Sequence, residues 1–111
     1  MNFEINNSKL EQVIFRYLDN KNFVIKESDY NYYFIDKEES LTASMIRIKK
    51  EDMTCIVRFK LSKELEQFFS VSRDYLVGVF TNYVNKTLNI KLMDTKIRKS
   101  YAVFFVDYWV R

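Results

Sequence analysis

The chain predicts an α+β fold: an N-terminal helix, an antiparallel β-meander of about four strands, one or two helices, and a long C-terminal strand in the same sheet, with the helices on one face. Three observations carry this. An apolar stripe at helical spacing occupies residues 10–18. Four short runs rich in β-branched and aromatic residues then follow, separated by the polar clusters ESD, DKEES and KKED. The chain closes on SYAVFFVDYWVR, residues 100–111, in which nine of twelve residues are apolar or aromatic.

The first helix opens at Ser8, with Glu11 three residues on as its capping-box partner. Leu10, Val13, Ile14, Tyr17 and Leu18 form one stripe, and DNKN at 19–22 ends it. Strands are expected at about 23–26, 30–35, 42–49 and 53–60. Ser62 is the expected cap of a helix over 62–69, and Ser72 of a second, with Asp74 near its positive end. The second helix carries the stripe Leu76, Val79, Phe80, Tyr83, Val84, Thr87 and Leu88. Gly78 lies off that stripe, which leaves either a close approach of another backbone or a tolerant surface site. In the tail both alternating faces are mostly apolar, so it reads as a strand covered on both sides.

Length bounds the rest. At 111 residues the chain is one domain, 1–111, and 48% hydrophobic with 17% aromatic residues it can build one core. There are no prolines, one glycine and no linker composition, so Asn, Asp and Ser must make the turns. Cys55 is the single cysteine, which fits a reducing, cytoplasmic setting. It alternates with Val57 and Phe59 and reads as a small buried hydrophobe. The N-terminus shows no signal-peptide pattern, and no apolar run is long enough for a membrane helix.

Reactive groups are scarce. Without histidine there is no Ser-His or Cys-His pair and no imidazole ligand, and one cysteine cannot make a thiolate zinc site. The carboxylate pairs Glu38–Glu39 and Glu51–Asp52 leave a magnesium site open, but both sit in expected turns. Asp107 stands isolated among apolar residues, which would raise its pKa unless a cation pairs with it. The inventory argues against an enzyme and calls for no metal and no cofactor.

Two binding readings follow from different surfaces. In the hairpin ASMIRIKKEDMTCIVRFK, a turn at Lys50–Glu51 places Ile46 opposite Cys55, and a turn one residue later keeps the same two faces. Arg47, Lys49, Arg58 and Lys60 share one face, beside rings of YNYYFI such as Tyr32 and Tyr33. Cations among exposed rings on a sheet suit single-stranded nucleic acid. The other reading is a protein interface. Surplus apolar surface in the tail, with Phe105, Tyr108 and Trp109 as its anchors, predicts a protein partner or a homodimer. The acidic stretch from Glu27 to Glu39 could meet a basic partner. Charge is unevenly spread: residues 1–40 are net −3 and 41–63 net +4, within a total of +3.

The helix ending in YLDN, the meander, and KLSKELEQFFSVSRDYLVGVFTNYVNKTLNI together resemble small uncharacterised proteins of tailed phages over residues 8–90. Those proteins often carry a tryptophan before the short helix, where this chain reads RFKLSKEL. The resemblance implies a phage or low-GC bacterial source and an accessory role in the host cytoplasm, such as inhibiting a host protein. It supplies no mechanism and no site residues.

Overall fold

A computed structural model describes residues 7–106. Helix α1 spans Asn7–Asp19, followed by strands β1 (Val24–Glu27), β2 (Asn31–Ile35), β3 (Ile46–Lys49) and β4 (Thr54–Arg58). Helices α2 (Phe59–Phe69) and α3 (Arg73–Leu88) lead to β5 (Asp94–Arg98), and a short 3₁₀ turn covers Ala102–Phe104. The strands lie in the order β1-β2-β3-β4-β5. The first four pair antiparallel as the meander, whereas β5 pairs with β4 in parallel, so the sheet is mixed.

The later of the two hairpin registers is the one formed: Ile46 faces Val57 and Ile48 faces Cys55. Met53, the last loop residue, takes a left-handed φ of 54° that brings the chain back into pairing. Asn22, Ser70 and Asn89 do the same at the ends of helices, so polar residues make the turns that glycine would otherwise make. Ser72 caps α3, its hydroxyl accepting from the Tyr75 amide at 3.1 Å. Helix α2 starts three residues before its expected cap. Ser62 is therefore buried inside it and bonds Glu66, and no side chain caps Arg58.

One sheet face packs under all three helices. Phe34, Ile46, Ile48, Cys55 and Val57 meet Ile14 and Leu18 of α1, Leu61 and Leu65 of α2, and Leu76, Val79, Phe80 and Val84 of α3. Thr81 of α3 and Thr95 of β5 share a hydroxyl bond of 2.7 Å. Tyr17 donates to Glu64 at 2.6 Å and ties α1 to α2, while Tyr83 donates to Asp19 at 3.2 Å and ties α3 to α1.

The tail departs from expectation. Among the described residues the last strand is β5 at 94–98. Residues 101–106 form the 3₁₀ turn and a single antiparallel bridge from Phe105 to Ala43. The reason is competition for the sheet edge. DTKIR alternates polar with Thr95 and Ile97, which turn inward, and it fills the position beside β4. Residues 101–106 lie across the open sheet face instead, bonded to Thr42, Ser44 and Arg47. Asp107 and the rest of the expected strand lie outside the described residues.

Gly78 is exposed in mid-α3, and a Cβ built there meets nothing within 4 Å, so the close-approach reading fails. Gly78→Ala should therefore stabilise the protein by up to about 1 kcal/mol, seen as a raised melting temperature. Burial pushes the Cys55 thiol from 9.0 up to about 12. Burial, helped by the Glu64 carboxylate, pushes the Tyr17 phenol from 10.0 to about 12. Both groups are neutral when protonated, so their contribution is complete below pH about 9 and is lost as pH rises toward about 12. The urea midpoint should fall across that window. Cys55→Ala and Tyr17→Phe together should lessen the fall, with the remainder carried by Tyr83 and Tyr75, whose phenols burial also pushes up.

Candidate binding face

The sheet face away from the helices is where the sequence reading placed its cations. Alternation sets Asn31, Tyr33 and Ile35 of β2, Arg47 and Lys49 of β3, and Thr54, Ile56 and Arg58 of β4 on this side. The parallel register adds Asp94, Lys96 and Arg98 of β5. Sequence reasoning missed the last two cations because it saw no strand there. The alternation of DTKIRKS was the available signal, hidden by the more apolar run that follows.

Residues 99–106 cross this face as a strap. The Phe104 carbonyl accepts from the Ser44 amide at 2.7 Å and from the Ser44 hydroxyl at 3.0 Å. The Val106 amide donates to the Thr42 carbonyl at 2.8 Å. Arg47 is the pin. Its Nη1 donates to the Val103 carbonyl at 2.9 Å and its Nε to Asn31 Oδ1 at 2.9 Å, and Asn31 donates in turn to the Tyr33 hydroxyl. Phe104, Tyr33, Ile35 and Ala43 are buried, apart from the cluster under the helices. These polar bonds let a half-buried guanidinium and a fully buried amide sit without an unsatisfied atom, since every buried side-chain nitrogen and oxygen among the described residues is partnered.

The four expected cations thus separate. Arg47 holds the strap. Lys49 and Arg58 stay half-buried on the face, with the Arg58 guanidinium 4.7 Å from the Tyr101 ring centroid and bonded to the Met45 sulfur. Lys60 has left the sheet, because α2 begins at Phe59. It pairs with Glu39 and holds that carboxyl below its usual range. The expected rings are also not available to a base. Tyr33 is fully buried, and Tyr32 faces the helices, where Lys50 lies 4.8 Å from its centroid.

Other rings take their place. Tyr101 and Phe105 are half-exposed on the strap, edge to face with centroids 5.2 Å apart. Of the three expected interface anchors Phe105 is half-exposed, while Tyr108 and Trp109 lie outside the described residues. Glu38 lies in a surface turn, and Glu51 and Asp52 in the hairpin loop. Among the described residues no three acidic or thiol groups gather to hold a metal, and no helix is long and apolar enough to cross a membrane.

Comparison with known protein families, with curated proteins and with solved structures found no match for the chain.

Position on the strap decides the cost of substitution. Phe104→Ala should cost about 3–5 kcal/mol, because it empties a fully enclosed site. Phe105→Ser, one residue on and half-exposed, should cost only about 1 kcal/mol, the worth of its edge-to-face contact with Tyr101. Chemical denaturation of the two variants checks this contrast.

Proposed function

We propose that the protein is a non-enzymatic binding module that docks a protein partner on the strapped face of its sheet. One observation carries the reading: the half-exposed pair Tyr101–Phe105, with the Arg58 guanidinium against the Tyr101 ring. Interfaces are enriched in aromatic residues and arginine, and rings held on a fixed backbone lose little entropy on binding. The cations around the pair favour an acidic partner surface over a second copy of the same face. The phage resemblance fits an accessory protein that acts by occupying such a surface, as an inhibitor does.

A second reading, single-stranded nucleic acid, has its own support. Lys96 and Arg98 join Lys49 and Arg58 on this face, a row of cations that could track phosphates.

The test is a photo-crosslinking residue placed at Phe105, with Gln12 on α1 as control, in cells that make the protein. A protein adduct from 105 alone, resistant to nuclease and lost in Tyr101→Ser/Arg58→Glu, is expected. Adducts that vanish on nuclease treatment, with oligonucleotide affinity falling steeply with salt, would replace this reading by the second.

A further inference from the structure

Two edges bound the sheet, and they differ. At β1, Lys26 alternates with Glu27, and Glu27 is already paired with Lys50. At β5, Lys96 and Arg98 point from the strapped face and are both exposed. Among the described residues Lys96 meets only Asp94, at 3.7 Å along its own strand, and no carboxylate lies within ion-pair distance of Arg98 or Arg58. Arg58 and Arg98 are direct neighbours in the parallel ladder. Their backbones are about 5 Å apart, and like charges set side by side across strands cost stability. The Tyr101 ring relieves one of them and leaves Arg98 bare. The outer side of β5 pairs with no strand among the described residues, and DTKIR contains no proline to block pairing.

We propose that β5 is a docking edge for an extended acidic segment of a partner protein, which adds as a sixth strand and sets alternate carboxylates against Lys96 and Arg98. This rests on the protein-partner reading above and names the partner's chemistry. An edge strand offers a row of unpaired amides and carbonyls that a second extended chain can satisfy. Alternate residues of that chain stand about 6.8 Å apart, the same spacing as Lys96 and Arg98, so two carboxylates meet two cations in register. Carboxylate on guanidinium is a paired, charge-assisted contact, and it removes the repulsion between Arg98 and Arg58. A second copy pairing antiparallel about Lys96 would set one Lys96–Lys96 clash between two Asp94–Arg98 pairs, and the concentration dependence of the free chain's spectrum tells that occupant from an acidic segment. A nucleic-acid strand would use the charges and leave the backbone row unpaired.

The experiment is an amide-resolved NMR titration of the full chain. Its probes are an octapeptide alternating Glu with Val, the matching Lys/Val peptide, the Glu/Val peptide with alternate amides N-methylated, and a short oligothymidylate. Shifts centred on residues 94–98 and slowed exchange of β5 amides are expected with Glu/Val alone. The variant Lys96→Glu/Arg98→Glu, substituted at exposed positions, should keep a dispersed spectrum, lose Glu/Val affinity by at least about tenfold, and accept Lys/Val instead. Five results overturn the proposal: no shift at millimolar peptide, equal binding of the N-methylated peptide, shifts mapping to β1 or the helices, tighter oligothymidylate binding at the same residues, and concentration-dependent shifts at β5 without any peptide. A protein adduct from Phe105 combined with a silent titration would leave the module reading standing and remove the edge. Loss of the adduct as well would remove both.

Discussion

The parallel pairing of β4 with β5 is the constraint from which the rest of the molecule follows. Two parallel neighbours cannot be joined by a tight turn, so the chain between Arg58 and Asp94 must travel the length of the sheet and return. α2 and α3 are that return path, and they lie together on one face because both pack their stripes on the same strands. The same register sets the end of β5 beside the end of β4, with Arg98 next to Arg58. A chain leaving at that corner finds one face occupied by helices and the other open. The strap takes the open face.

Closing that face is a polar task as much as an apolar one. Phe104 supplies the enclosed ring, but a 3₁₀ turn and one bridge leave strap carbonyls that a sheet ladder would have satisfied. Arg47 and Ser44 supply the missing donors, to Val103 and Phe104. Arg47 in turn is held by Asn31, so β2, β3 and the strap are coupled through one guanidinium. An arginine on a sheet face thus carries structural work that its charge alone would not suggest. Lys96 and Arg98, exposed beyond the strap, take no part in this closure.

The fold was legible in the sequence where a pattern was local and redundant. The stripe of α1, the four strand runs and the Ser72 cap each had several residues agreeing. The hairpin faces were legible because side-chain alternation survives a shift of the turn by one residue, and Arg47, Lys49 and Arg58 did share a face. What failed depended on competition between segments. SYAVFFVDYWVR has more strand propensity than DTKIR, yet the weaker segment holds the edge. Thr95 and Ile97 fit the slot under α3 that the chain reaches first. Lys60 was misplaced for a related reason: β4 stops at Arg58 because Leu61 and Leu65 are needed beneath α2, which forces the helix to begin early. The candidate site was half legible. Lys49 and Arg58 could be read from alternation and Lys96 and Arg98 were missed, while its rings came from a strap whose path no local pattern encodes.

Chemistry and placement argue in the same direction about what this face can do. Cys55, the one thiol, is enclosed under the helices with its pKa pushed up to about 12, so it is held away from the strapped face in an unreactive form. Asp94, Lys96 and Arg98 are exposed on that face, with Tyr101 and Phe105 half-exposed on the strap. Arg58 links the two parts of the surface, since it lies under Tyr101 and beside Arg98. A carboxylate arriving at Arg98 changes the field at Arg58 and so the strength of its contact with the ring. Phe104, Ser44 and Arg47 hold the strap independently of that contact, so the rings can adjust to an occupant while the face beneath them stays closed.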